Sequence, residues 1–260
     1  IKFMRTFCAC LKRIKINLPK PLKFIIIFMN GEQFNHKFEV VKNIEINEVL
    51  LGACKANNLD LVKSAIKNGA VKFKKAFYAA CENGNIQIAQ LMFEDDTVCR
   101  SEGLFRAAKA GHYDFVKFYY DTNEYDLDYT MSGACESNNL ELVKYLSEKG
   151  ADCYDDYLFN ACYGGNLEII DFLIKKGAND FNNGLCGASE SGSLEIIKLM
   201  IEKGADNFDE GFKIACEIGY LHVVKYLSNT YDCNLDRGLN RANIGNRIEV
   251  INYLIKKGAN

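Results

Sequence analysis

Residues 184–204 read GLCGASESGSLEIIKLMIEKG, two short helical patterns joined at Gly192. The pattern returns along the chain at a constant interval. An alanine marks the first helix of each copy, at Ala53, Ala80, Ala107, Ala134, Ala161, Ala188, Ala215 and Ala242, always 27 residues apart. An uninterrupted period of roughly 20 to 50 residues is the signature of a solenoid, whose unit is too small to bury its own apolar face and must stack on neighbours. Residues 45–260 hold eight such units.

Positions counted from the marker alanine carry the local structure. Three residues before it stand Leu50, Phe77, Leu104, Met131, Leu158, Leu185, Phe212 and Leu239. With the marker and the small residue after it they form an i, i+3, i+4 stripe, so the first helix of each unit has a slim buried face and spans about nine residues. Six residues before the marker stand Asn47, Lys74, Ser101, Asp128, Asp155, Asn182, Asp209 and Asp236, of which seven are good N-caps. Four residues after it come Asn57, Gly84, Gly111, Asn138, Gly165, Gly192, Gly219 and Asn246. Only Gly and Asn visit the left-handed region at low cost, so these positions end the first helix with a left-handed cap. A second helix follows, as in Leu194, Ile196, Ile197, Met200 and Ile201, and stops at Gly69, Gly150, Gly177, Gly204 or Gly258, with Asp96, Asn123 and Tyr231 at the same place elsewhere. About five residues then lead to the next unit, too few for a β-hairpin.

These residues resemble the ankyrin repeat. Ala107-Ala108, Gly111-His112-Tyr113-Asp114-Phe115-Val116, Gly165-Asn166-Leu167-Glu168-Ile169-Ile170 and Gly204-Ala205-Asp206 are similar to the family's Ala-Ala, Gly-His-Leu-Glu-Val-Val and Gly-Ala-Asp signatures. The likeness is to the short, divergent kind abundant in giant DNA viruses and some protists. The family's Thr-Pro-Leu-His opening is replaced, as in Gly184-Leu185-Cys186-Gly187, and the period is cut from the usual ~33 residues. The resemblance therefore implies a solenoid without the projecting hairpin finger, which leaves helix surfaces as the interface for a protein partner.

Ahead of the repeats, residues 1–22 form a basic leader. Residues 1–23 carry seven basic side chains and no acid, and Phe3, Met4, Phe7, Leu11 and Ile14 align as one apolar stripe. Such a segment serves either as a solvated tail or as a contact to acidic membranes and proteins. Residues 23–44 place Asn30-Gly31 between two β-prone runs, the signal for a small N-terminal β-hairpin that caps the first repeat. Residue 1 is not Met, so Met4 or Met29 is an alternative start.

Composition narrows the chemistry. The chain has 260 residues, 11 cysteines, three histidines, two prolines, no Trp and a net charge of −2. Cys54, Cys81, Cys135, Cys162 and Cys216 share the position after the marker. Equivalent residues in stacked helices lie ~8–10 Å apart, beyond the ~7 Å that a disulfide spans, so the ladder reads as small buried hydrophobes. Cys99, Cys153 and Cys233 fall between units, and Cys8 and Cys10 form a lone C-x-C. No zinc framework results. His36 has no ligand-spaced neighbour, His112 stands where other units carry Asn58, Asn85, Asn139 and Asn166, and His222 faces outward. Catalytic, cofactor and metal residues are expected to be none.

The outward face of the first helices varies while the core stays constant. Positions two before and two after the marker lie on one face and include Tyr78 and Glu82, Phe105 and Lys109, Phe159 and Tyr163, Glu190, and Lys213 and Glu217. The rings serve either a partner or the packing of the adjacent first helix. The fold expected is all-α, an α-solenoid of stacked helix-turn-helix, ankyrin-like repeats without long fingers. Its expected function is a non-catalytic protein–protein interaction scaffold that binds a partner through the concave helix face. The alternatives are a substrate-recruiting subunit of a ubiquitin ligase, with its second module outside this chain, and more remotely an enzyme. With +6 in residues 1–46, the array carries about −8, which argues against nucleic acid. Membrane contact is expected only through the leader. The longest early apolar run, residues 24–29, is far below a span, so the reading is an intracellular monomer, in host cytoplasm if the source is viral.

Overall fold

A computed structural model describes residues 46–121 and 126–260, over which the chain is helical without a strand. The expected leader and hairpin, with His36, Cys8, Cys10 and Asn123, lie outside the described residues. Sixteen helices among the described residues form eight pairs. They are α1 (46–55) with α2 (Leu59–Lys67), α3 (Phe73–Glu82) with α4 (Ile86–Gln90), α5 (Arg100–Lys109) with α6 (Tyr113–Tyr120), and α7 (Leu127–Glu136) with α8 (Leu140–Glu148). The rest are α9 (Tyr154–Gly164) with α10 (Leu167–Lys175), α11 (Phe181–Ser191) with α12 (Leu194–Lys203), α13 (Phe208–Ile218) with α14 (Leu221–Thr230), and α15 (Leu235–Ile244) with α16 (Ile248–Lys257). First helices pack on first helices of neighbouring units, and each second helix packs on its own first helix.

The stripe predicted for the first helices is the core. All eight marker alanines are buried, as are the eight large residues three positions before them. Four positions before the marker lies a feature the periodic reading passed over. Gly103, Gly211 and Gly238 face the preceding unit so closely that a methyl group would stand 2.4 Å from Phe77, 2.8 Å from Ser189 and 2.4 Å from Phe212, while at Gly184 it would stand 2.5 Å from Met200 of the same unit and 3.3 Å from Leu158 and Cys162 of the preceding one. The residue after the marker fills the space beside each glycine: Cys81, Cys162, Ser189 and Cys216 all lie within 3.3 Å of those methyl positions. In the cysteine ladder, Cys81, Cys162 and Cys216 are thus knobs opposite glycine holes. Its thiols are free and buried, and burial pushes Cys54 up to about 11 and Cys162 and Cys216 up to about 12.

The left-handed caps form at seven of the eight expected sites. Asn57, Gly84, Gly111, Gly165, Gly192, Gly219 and Asn246 have φ between 56° and 103°. Asn138 is the exception, because the Ser137 hydroxyl donates to the Ala134 carbonyl at 2.6 Å and accepts from the Asn139 amide at 3.0 Å. In other units a backbone amide returns to the marker carbonyl, as Tyr220 N does to Ala215 at 3.0 Å. The serine hydroxyl takes over that bond and Ser137 turns extended, with φ −82° and ψ 174°.

The N-caps require correction. The first helices begin two residues earlier than expected, capped at Lys72, Cys99, Asp126, Cys153, Asp180, Asn207 and Asn234, and run ten or eleven residues. The residues taken as caps lie inside the helix, and at five of the seven the side-chain oxygen reaches the loop that follows the second helix. Asn47 accepts from Val71 and Lys72 amides at 2.9 Å, Asp155 from Asn179 at 2.6 Å and Asp180 at 2.9 Å, and Asn182 from Asp206 and Asn207 at 2.9 Å. Asp209 holds Asn234 N and Asp236 holds Asn260 N in the same way. A carboxylate or carboxamide here is a clamp between units. At Asp128 the clamp is occupied by the Tyr157 hydroxyl instead.

Unit 2 breaks the pattern, since α4 has only five residues. Glu94, Asp95 and Asp96 follow where the helix C-terminus repels negative charge, and no glycine is present to reverse the chain. Asp95 instead accepts from the Thr97 amide at 2.9 Å, and Phe93 turns inward to stack on Tyr119 with ring centroids 4.5 Å apart.

Two expectations follow from this architecture. Gly192 has φ +74°, and a Cβ there would stand 2.9 Å from the Tyr220 ring. Gly192→Val should lose about 1–2 kcal/mol or more in urea unfolding, since a β-branched side chain opposes the left-handed region; an unchanged midpoint would contradict the turn. Two backbone donors hold the Asp155 carboxyl below its ordinary value of 3.8. Its contribution is therefore present above the unfolded pKa and is lost as pH falls through the depressed folded value. Asp155→Ala should cost about 0.5–1.5 kcal/mol at neutral pH, and the gap to wild type should close as the medium is acidified below about pH 4. Asp155→Asn, an acceptor like Asn47, should stay near wild type at neutral pH. Equal unfolding midpoints for the Ala and Asn variants there would rule the clamp out.

Candidate functional site

The outward face of α3, α5, α7 and α9 is where the expected strip residues meet. At positions two before and two after the marker, side chains leave the first helix on the side away from its second helix, so those of successive units line up. Tyr78 and Glu82 of α3 both touch Arg106 of α5. The guanidinium lies 4.8 Å from the Tyr78 ring centre, and its Nη1 stands 2.5 Å from Glu82 Oε1. Its Nε donates to Glu102 Oε1 at 2.6 Å, one helical turn back. Glu102 Oε2 accepts from the Tyr129 hydroxyl at 2.6 Å, and Tyr129 of α7 stacks on Phe105 with centroids 4.6 Å apart and planes 13° from parallel. That carboxylate acceptor, with burial, pushes the Tyr129 hydroxyl up to about 12. Further along the face, Lys109 of α5 makes a second cluster, 2.6 Å from Glu136 Oε2 and 5.7 Å from the Tyr163 ring centre.

Units 2 to 5 therefore carry two neighbouring clusters of aromatic and charged groups along this face, one about Arg106 and one about Lys109. They include Tyr78, Glu82, Phe105, Lys109 and Tyr163 from the sequence reading. Tyr129 and Tyr163 remain 38% and 40% exposed, so the rings are braced by charged neighbours yet still present area to solvent. Phe159 is half-buried, and its backbone carbonyl is the surface against which Gly187 packs, 2.3 Å from where a Cβ would stand. Glu190, Lys213 and Glu217 join neither cluster. Lys213 pairs with Glu210 on its own helix, Glu217 pairs with Arg241 at 3.0 Å, and Glu190 is half-buried further along the same face.

Sequence reasoning missed Arg106, Glu102 and Tyr129, three centres of the first cluster. They occupy positions one and five before the marker, outside the pair of positions sampled. The Glu102–Arg106 spacing of i, i+4 was the available signal. His112 and His222 are structural: their Nε2 atoms lie 2.8 Å from the Glu82 carbonyl and 2.9 Å from the Gly192 carbonyl of the unit before. Arg247 makes the same bridge, donating from Nε to the Glu217 carbonyl at 2.8 Å. Among the described residues, no group of three or more His, Cys, Asp or Glu could hold a metal ion, and no helix is long and apolar enough to cross a membrane.

Comparison with known proteins bears on the fold. The crystal structure of the human ASB11 ankyrin repeat domain is similar at 22% identity and a TM-score of 0.45, over 60% of this chain and 84% of that one. A comparison with curated proteins finds no match. The family model described as ankyrin repeats (3 copies) matches residues 131–210. That stretch spans α7 to the start of α13, where marker alanines, left-handed glycine turns and inter-unit clamps all recur, and residues 131–210 are ankyrin repeats.

Proposed function

We propose that the chain is a non-catalytic scaffold that binds another protein on the face of its first helices. Ankyrin repeats in general are protein-interaction modules. The observation that carries the reading is the network centred on Arg106, in which Tyr78, Phe105 and Tyr129 are held by contacts that cross from one unit to the next, with Tyr163 held likewise by Lys109 beside it. Tyr and Arg are the residues most enriched at binding hot spots, because each offers apolar area together with a polar handle. Holding them in place beforehand lowers the ordering cost of association. The polar groups of the network are paired with one another, which suits a docking surface better than the poised acid and base of a catalytic site. Phe159, Glu190, Lys213 and Glu217 extend the same face along units 5 to 7 and form its outer part in this reading.

The test is the double variant Tyr78→Ala with Phe105→Ala, compared with wild type as bait in affinity purification with quantitative mass spectrometry. Partners captured by wild type should be lost, as expected for about 2 kcal/mol or more of hot-spot energy, roughly 30-fold in Kd, with helicity by circular dichroism unchanged. Capture of the same partners by a folded double variant would overturn the assignment.

A further inference from the structure

At the end of this face nearest the N-terminus, a cleft of about 460 Å³ opens between units 1 and 2. Lys72, Lys74 and Lys75 line it, together with the apolar side chains of Leu51, Val71 and Phe73. Val71 is 66% exposed, an apolar residue left in water beside three cations. Among the described residues, none of the three lysines lies within ion-pair distance of a carboxylate. Glu48 also lines the cleft, which leaves it with a formal charge of +2.

The lysines stand out against the repeat. Eight, six and five residues before the marker, the other seven units carry Asp, Glu, Asn, Cys, Ser or Tyr, with Arg237 the one basic side chain, whereas unit 2 has lysine at all three. The lysines also forgo contacts that several other units keep, as Asp126, Asp180 and Asn234 do by capping with a side-chain oxygen, although Cys99, Cys153 and Asn207 make no such bond. Lys72 caps α3 without a side-chain hydrogen bond, and the first turn of α3 has no acid to meet the positive end of the helix. Lys74 replaces the clamp, which an ammonium cannot supply because it accepts no hydrogen bond. A unit that departs from the local rules at three positions on one wall, without a compensating contact among the described residues, is expected to serve a function there.

We infer that this cleft binds a short acidic segment of a partner protein, an extended stretch that sets Asp or Glu carboxylates on Lys72, Lys74 and Lys75 and an apolar side chain on Leu51, Val71 and Phe73. This deepens the proposed function and rests on its reading that the partner is a protein. Charge complementarity selects the occupant. The segment is short because Glu102, Asp128, Asp155 and Asp156 on the following units repel a polyanion laid along the face. That repulsion disfavours a nucleic-acid backbone.

The probe is a fluorescein-labelled peptide of alternating glutamate and leucine, read by anisotropy with the full chain beside a twin in which glutamine replaces glutamate. At low salt, about 50 mM, wild type should bind the glutamate peptide at least about tenfold more tightly than its twin, and the preference should shrink as salt rises. The variant K72E/K74E/K75E should lose the preference while keeping its helicity, since all three side chains are exposed. Carbodiimide, which joins carboxylates to amines at contact, should crosslink the peptide to these lysines in wild type. Equal affinity of wild type for both peptides would overturn the inference, as would a preference surviving in the triple variant. Crosslinks confined to residues 2–23 or to second-helix lysines, or equally tight binding of a single-stranded RNA that the same triple variant loses, would overturn it too. Tyr78→Ala with Phe105→Ala should leave the glutamate preference intact, so failure of the cleft and failure of the aromatic network are read separately.

Discussion

The close approach of successive first helices is the constraint on which the rest of this protein depends. At three joins the backbone comes near enough that a single methyl group at Gly103, Gly211 or Gly238 would overlap the preceding unit. At Gly133 and Gly187 the neighbour is a main-chain carbonyl, at 2.5 and 2.3 Å from a Cβ, which cannot swing aside as a side chain can. A unit of 27 residues has one thin stripe of apolar side chains, so its burial comes from the unit beside it. Close approach makes the stripe sufficient, because dispersion contacts fall away steeply with any gap.

Hydrogen bonds then fix the register that packing alone would leave free to slide. At one end of the first helix a side-chain oxygen of unit n holds the amides of the loop entering unit n+1. At the other end, His112, His222, Arg247 and Asn139 reach back to a carbonyl of the preceding unit. The joins between units 6 and 7 and between units 7 and 8 are thereby pinned at both ends, while that between units 2 and 3, where Lys74 supplies no clamp, is held through His112. On the second helices, Lys117, Lys198 and Lys225 lie over Tyr145, Tyr226 and Tyr253 of the following units at 5.0 to 5.7 Å, which adds weaker cation–π bracing on the opposite side. The groups gathered about Arg106 sit on this braced array.

Unit 2 departs furthest from the local rules of the repeat. Its second helix is the shortest of the sixteen among the described residues, its clamp position is a lysine, and its first helix begins without an acid or a side-chain cap. It nevertheless carries Tyr78 and Glu82, and its lysines line the cleft shared with unit 1. Packing by Phe77, Phe93 and Tyr119 holds the unit in the stack. The core can therefore tolerate the loss of capping and leave the surface free to differ.

The sequence by itself determined the number of units, the helix pairs, the buried alanine stripe and most of the left-handed turns. These depend on residue type at fixed spacing, which a period exposes directly: Gly192 and its equivalents turn left-handed because little else can. Tertiary structure alone decided what the polar residues of the first helix bind. Asp155 and Asn182 look like caps of their own helix in one dimension, yet helix α9 or α11 has begun two residues earlier and their oxygens face the next loop. Tyr78 and Phe105 could be placed on a shared face from spacing, whereas their partners Arg106 and Tyr129 come from neighbouring units and from other positions of the repeat. Contacts between units depend on the offset and separation of two helices, and those are set by which side chains interlock across the join, such as Cys81 against Gly103. No spacing within one unit encodes that.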